Sequence, residues 1–390
     1  MEKKKINIFA IADIAFYIGL TMEIAIVILD KSVYIIEYDG RLFRITFVLF
    51  LIKLILTKYS MREWMVIGAF ALLGLTSYLV TGHNEIFRLV IMVAACKDVD
   101  HEVMFKHIFY CTLVGCGVLV VLSFAGIGTL SITGEFGRGI VTRYCLGMGH
   151  PNALHCMFWA LCTLCIYVYR LRVRWYHVLF MAVANITLFF LTDSRWGVIS
   201  TFFTLSLTVV LGFNWFKNRK QLLLVLLGFE VLAAMISAMA FMDRNLFWNK
   251  LRGFDELITG RILWTHMLIE DSETFFWRPF SSFGRYGQTD LGIVKMIYWY
   301  GYIPAIIFMI MCFLLVKTAI NQEDFATYMM VASIILYSVF EGHDVSVYHG
   351  RNYIYFLWGK YWIDMFVSRN DKVYFAWELH KCIENSVTDG

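Results

Sequence analysis

Five arginines stand in short polar turns of an otherwise apolar chain: Arg143 in RYCLGMGHPNAL, Arg195 in LTDSRWG, Arg261 in LITGRI, Arg285 in FGRYGQTD and Arg351 in YHGRN. Each lies near an expected helix end or in a glycine-containing turn. A guanidinium keeps its charge and forks onto phosphate through paired N–H groups, so several converging on one mouth suit a pyrophosphate ligand. Any one of them alone also reads as an interfacial anchor or a loop ion pair. Their grouping on one expected face of the chain favours the ligand.

The stretch RYCLGMGHPNAL has its own logic. Proline is favoured at the first helical position and pushes the preceding residue out of helical geometry, so a helix is expected to begin at Pro151, just after His150. Free amides at such a start attract anions, and Gly147 and Gly149 leave room for close approach. Arg143 would add a full charge, and Asn152 a further polar contact. The plainer reading makes His150 and Asn152 capping groups and the glycines a turn.

Proton-accepting groups are fewer. Asp290 in GQTDLG is either the N-cap of the next helix or a carboxylate placed to take a hydroxyl proton. The stretch EGHDVSVYHGRN gathers Glu341, His343, Asp344, His349 and Arg351 within one short loop. Its spacing fits no standard metal-ligand pattern, so a polar mouth lining is the favoured reading. In LTDSRWG, Asp193 or Ser194 is a candidate cap, and Asp193 a candidate partner for Arg195. Two pairs of charges fall inside apolar segments, Asp13 with Lys53 and Glu23 with Arg44, and read as structural ion pairs.

These residues need a scaffold, and composition supplies its class. Apolar types make up 59% of 390 residues and charged types 16%, against a usual quarter or so, and the apolar residues come in long blocks. The chain is expected to be an all-α polytopic membrane protein, with its first segment a retained span rather than a cleaved signal. Twelve candidate spans run 9–29, 42–56, 64–80, 85–96, 105–126, 151–169, 176–191, 197–213, 222–241, 291–316, 326–340 and 353–367. Nine cysteines lie mostly inside these blocks and read as packed thiols, with no metal expected at Cys162 and Cys165.

Lysines and arginines of the short loops set the orientation. Lys3 to Lys5, Lys58/Arg62, Lys97/Lys106, Arg170/Arg172/Arg174, Lys217/Arg219/Lys220 and Arg369/Lys372 fall on one side, taken as cytoplasmic, with both termini there. All five turn arginines then lie on the opposite face, as does the long loop 242–290. In that loop Phe247, Leu251, Phe254 and Ile258 recur at helical spacing and 262–270 begins a second amphipathic stretch, so it is expected to lie on the membrane surface. The organisation reads as one membrane domain over 1–367 with a cytoplasmic tail over 368–390.

Taken in order, RYCLGMGHPNAL, LTDSRWGVIS, ITGRILW and GQTDLGIVKMIYWYGYIP resemble the Wzy-like polysaccharide polymerases of the O-antigen polymerase and ligase superfamily. The motifs cover about Arg143 to Pro304, and GHPN is the most specific. The resemblance implies a GT-C-like fold and a metal-independent glycosyltransferase of the plasma membrane, without a cofactor. Its donor and acceptor would be undecaprenyl-diphosphate-linked glycans, joined into capsular or exopolysaccharide on the outer leaflet. Arg143, Arg195 and Arg261 would bind the diphosphate, with Asn152, Arg285, His343 and Arg351 as further substrate contacts. The related ligases place a histidine before the helix that follows the long loop. This chain has Asp290 there, so Asp290, His150 and Glu341 all stand as candidates for the base. A flippase and a chain-length regulator would be its protein partners, and nucleic acid is not expected to be one.

The chemistry is coherent without the resemblance. Outside the cytoplasm a lipid diphosphate is the natural leaving group, and arginines can stabilise its developing charge in place of a metal. The first outer loop, DKSVYIIEYDGR, lacks the paired acidic motif of metal-dependent GT-C enzymes. Competing readings are an O-antigen-ligase-like transferase, a lipid-linked oligosaccharide flippase or transporter, and a membrane acyltransferase. The long outer loop weighs against a flippase, and the late, outer position of the polar clusters against an acyltransferase.

Overall fold

The computed structural model describes residues 8–34, 39–135, 140–212, 219–240, 252–258, 260–271, 278–281, 289–342, 345–366 and 373–378. It is predominantly helical. Contacts divide the chain into two compact units, one from 1–27, 36–111 and 348–390, the other from 28–35 and 112–347.

The first unit holds most of α1 (Ile8–Asp30), α2 (Asp39–Ile55), β1 (Tyr59–Ser60), α3 (Met61–Thr81), α4 (Glu85–Ala95) and the start of α5 (His101–Phe124). A 3-10 turn (His349–Arg351) and α15 (Ile354–Phe366) complete its helices, and β4 (Val373–Tyr374) pairs antiparallel with β1. The charges inside its helices are paired. Lys53 Nζ lies 2.8 Å from Asp13 Oδ1, as expected. Glu23 is met by Arg88, at 3.6 Å, and by the Thr46 hydroxyl at 2.6 Å. Arg44, its expected partner, is exposed instead. Arg88 also stacks over the Phe43 ring, 4.0 Å from its centroid, which further shields the buried pair.

The second unit is built around α14 (Phe325–Phe340), with α6 (Pro151–Val168), α8 (Arg195–Gly212), α9 (Arg219–Met239) and α13 (Tyr302–Asn321) packed against it. A helix apolar on every side belongs in a core, and all described residues of α14 from Ala326 to Phe340 are buried. Trp159 of α6 stacks on Tyr337 at 4.2 Å and donates its indole N–H to Thr204. Trp196, at the start of α8, donates to the Tyr337 carbonyl at 2.9 Å. Outside this bundle core stand α7 (Trp175–Thr192) and a hairpin, β2 (Ser131–Glu135) with β3 (Ile140–Tyr144), in register Ile132 to Arg143. The hairpin falls where only loop was expected.

Eight helices among the described residues are long and apolar enough to cross a membrane: α1, α3, α5, α6, α7, α8, α9 and α13. This is a multi-pass membrane protein. Each of the twelve expected segments is helical, but α4 has 11 residues and α15 has 13, well short of the ~20 that a straight span needs. The tenth segment, expected to be continuous over 291–316, is broken into α12 (Gly292–Tyr300) and α13 at Gly301. Gly301 has φ +95°, and a Cβ there would lie 2.6 Å from Phe280 Cα. The backbone of Arg278–Ser281 wedges into the break. Its Arg278 and Pro279 carbonyls accept from the amides of Tyr302 and Ile303 at 3.1 and 3.2 Å, and the Ser281 amide donates to the Tyr300 carbonyl. Backbone groups freed by the break are thereby satisfied, as an apolar setting demands.

The long loop carries the helical stretches expected of it. Its described part contains α10 (Arg252–Leu257) and α11 (Arg261–Asp271). α11 does form an amphipathic helix, but its apolar face packs on protein: Ile262 is fully buried among Ile236, Leu291, Val294 and Phe340. Trp264, 67% exposed, marks the opposite face. Phe247 and Leu251 lie outside the described residues.

Candidate functional site

Two polar clusters form in the second unit, and both contain residues singled out from the sequence. The first surrounds Arg143. The alternation of β3 turns Arg143 inward, 7% exposed, while its neighbours Thr142 and Tyr144 stay outside. Its Nε donates to the Thr192 carbonyl at 2.6 Å and its Nη2 to Asn152 Oδ1 at 2.9 Å. Thr192 is the last residue of α7, so the cation sits where the helix dipole is negative. Arg195 stands exposed at the first position of α8. The two arginines therefore flank one tight turn. Asp193 closes α7 there in the left-handed region, φ +48°, its amide donating to the Phe189 carbonyl.

The helix start at Pro151 is as expected, and His150 is its N-cap, Nδ1 accepting from the Asn152 amide at 3.1 Å. The Ala153 and Leu154 amides both donate to the His150 carbonyl. Proline has no N–H, so the first-turn amides thought open to an anion are used within the chain. The glycines also serve the fold. A Cβ on Gly147, φ +84°, would collide with the Leu119 carbonyl, and one on Gly149 would lie 2.8 Å from the Ser32 carbonyl. Backbone fills the space assigned to phosphate.

Behind Arg143 lies a buried network that the sequence reading missed. His155 Nε2 meets Asn185 Oδ1 at 2.8 Å, and Nδ1 meets the Thr192 hydroxyl at 3.0 Å. Asn185 Nδ2 donates to the Val198 carbonyl, which fixes the amide so that its oxygen faces the ring. His155 then carries a proton on Nε2, and its Nδ1 faces the Thr192 hydroxyl, which also donates to the Leu188 carbonyl at 2.8 Å. Gly197 of SRWG makes room for the imidazole, since a Cβ there would lie 2.7 Å from it. The signal was present as uncharged polar residues inside apolar spans, which bury only when hydrogen-bonded.

The second cluster joins three distant stretches. Arg261, first residue of α11, donates Nη1 to the Phe340 carbonyl and Nη2 to Glu341 Oε1 at 2.5 Å, and its Nε is 3.8 Å from Asp290 Oδ2. Asp255 of α10 fixes where α11 begins, its two carboxylate oxygens accepting from the Ile262 and Leu263 amides at 2.8 and 3.2 Å. Burial pushes the Asp255 carboxyl above its usual range against the pull of those two amides. Asp290 is not the expected N-cap. Leu291 occupies that position, the Thr289 hydroxyl accepts its amide, and the Asp290 carbonyl accepts from Gly342. The Asp290 carboxylate is left 55% exposed, whereas Glu341 is 19% exposed. Lys295 packs its stem on Gly342, bringing a further cation close to this cluster.

The two clusters feel each other through His150. Burial and the Arg143 charge lower its pKa, and Asp290 opposes them. Arg351 lies in the 3-10 turn of the first unit, where Gly350 packs on the Glu23 backbone. Arg285 and His343 lie outside the described residues. Comparison with protein-family models, with curated proteins and with solved structures finds no match to this chain.

Proposed function

We propose that this membrane protein is a Wzy-like polysaccharide polymerase, a metal-independent glycosyltransferase of GT-C type. Its twelve helical segments would be held in the plasma membrane with both termini cytoplasmic. It joins undecaprenyl-diphosphate-linked repeat units into capsular or exopolysaccharide at the outer face, working with a flippase and a chain-length regulator. The observation that carries this reading is the convergence of Arg261, Asp290 and Glu341 from three separate stretches, within electrostatic reach of the His150 end of the Arg143 cluster.

In this scheme the acceptor hydroxyl oxygen attacks the anomeric carbon of the donor. Its proton passes to a carboxylate, while the carbon–oxygen bond to the diphosphate breaks and the diphosphate leaves with the electron pair. Asp290 is the favoured base, because its carboxylate is open and Arg261 touches it only at 3.8 Å. Glu341 is committed to the 2.5 Å pair with Arg261 and serves as an anchor. His150 spends Nδ1 on the helix cap and shapes the mouth. Arg143 and Arg195, on either side of the α7–α8 turn, supply positive charge to the leaving diphosphate. Arg261 is shared by two carboxylates and acts chiefly by holding them.

The test is reconstitution of the purified chain in liposomes with a lipid-linked repeat unit, with and without chelator. Glycan growth that survives chelation supports the proposal. Loss of growth with chelator, or lipid translocation without growth, refutes it.

A further inference from the structure

α9 carries a single carboxyl, Glu230, about halfway along its 21 residues. Halfway along such a helix is ~16 Å from either end, near the middle of a hydrocarbon core about 30 Å thick. Glu230 lines a partly open cavity of about 40 Å³ between α9, α12, α13 and α14. Ser338 of α14, only 3% exposed, lines the same cavity. Among the described residues, Glu230 Oε1 and Ser338 Oγ are both sealed from solvent and have no hydrogen-bond partner.

Unpartnered polar atoms at this depth are costly, and an ionisable group inside a span is a functional site by default. The rest of the lining narrows the choice of ligand. Phe308, Met296, Met309 and Cys312 add a ring and soft sulfur atoms, and among the described residues no Lys, Arg or His lines the cavity. The wall therefore offers one carboxyl and one hydroxyl, with no cation to balance the carboxylate. An anion would meet Glu230, and a lone hydroxyl would leave the charge of the carboxylate unbalanced. A compact cation with several N–H groups answers the carboxylate and the serine together and lies beside the Phe308 ring. The volume exceeds the ~10–15 Å³ that a water needs and is far below the ~300 Å³ of a drug-sized pocket, so it suits a small polar head. Beside it on α13, Ile306 and Ile310 are each 52% exposed and offer an apolar track for a chain.

We propose that this cavity binds the primary ammonium group of an amphiphile, with Glu230 as counter-ion, Ser338 as second acceptor and the apolar stem along α13. The site is separate from the Arg143 and Arg261 clusters and does not depend on glycosyl transfer. The experiment uses the full chain in phosphatidylcholine nanodiscs and two photoreactive twelve-carbon probes, one ending in an amine and one in an alcohol, with labelled peptides mapped by mass spectrometry.

The amine is expected to label peptides of α9 and α13 about tenfold more than the alcohol, the ratio given by ~1.4 kcal/mol of ion pairing. Glu230→Gln should erase that preference, Glu230→Asp should keep most of it, and Ser338→Ala should reduce it a few-fold. Competition on the unaltered protein by unlabelled dodecylamine but not dodecanol provides a readout independent of how the variants fold. Equal labelling by the two probes, undiminished amine labelling of Glu230→Gln, or labelling confined to other helices would overturn the proposal.

Discussion

Arg143→Lys separates charge from geometry at the proposed diphosphate mouth. The substitution keeps the cation and removes the fork. In the structure two guanidinium nitrogens serve two acceptors, the Thr192 carbonyl at 2.6 Å and Asn152 Oδ1 at 2.9 Å, from a residue only 7% exposed. A lysine ammonium, on a differently shaped stem, holds one of these at best. Losing one hydrogen bond from a charged donor to a buried acceptor costs about 1.5–3 kcal/mol, which corresponds to a factor of about 10 to 150. If the fork positions charge against the leaving diphosphate, the loss appears in kcat with KM little changed. The assay is single-turnover glycan extension in proteoliposomes, with a thermal melt alongside to confirm folding. A lysine variant within twofold of the parent in kcat/KM, at unchanged Tm, would show that the fork does nothing for the reaction.

Three further outcomes follow from the geometry. Arg261→Ala and Glu341→Ala should each lower activity strongly, while the double variant loses less than the product of the two; coupling of about 1.5–3 kcal/mol is expected from the double-mutant cycle, and strict additivity would show that the pair acts independently. Gly301→Ala forces φ +95° and a 2.6 Å approach to Phe280 on a residue with a Cβ; it should destabilise by at least ~1–2 kcal/mol, read as a lowered Tm in detergent, and an unchanged Tm would refute the wedge. His150 has a folded pKa below the ordinary histidine value of 6.5, so the stabilisation from its neutral cap is full above 6.5 and is lost as pH falls through the folded value. In titrations followed by histidine NMR, Arg143→Gln should raise this pKa and Asp290→Asn should lower it further; the opposite order would mean that the two clusters are not electrically linked.

Much of the scaffold was legible because it rests on local signals. Apolar blocks located twelve helical segments, proline with its preceding residue fixed the start of α6 at Pro151, and matched depth paired Asp13 with Lys53. Features decided by non-local packing were hidden. Glu23 chose Arg88 over Arg44 because α4 folds back beside α1 and α2, a tertiary fact that no spacing encodes. The break at Gly301 had a visible cue in YWYGYIP, but what completes it, the Arg278–Ser281 backbone, comes from twenty residues earlier. The glycines of GMGHPN looked like room for a ligand, whereas Leu119 and Ser32 supply the atoms that approach them. At the site, the types were readable and the pairings were not: Arg261 carried no mark that it would be divided between Asp290 and Glu341, and His155 looked like any histidine in an apolar helix.

The burial of α14 on every side bears on how the protein is made. A helix with no surface for lipid gains little by leaving the translocation machinery alone, because its best surroundings are other helices. The segments that wrap it, α6, α8, α9 and α13, all precede it in the chain. During synthesis from the N-terminus, the cradle is thus complete before Phe325 emerges. The order of the sequence doubles as an assembly order, and moving this 16-residue helix ahead of its partners would leave it too short and too unsupported to hold its place in the bilayer.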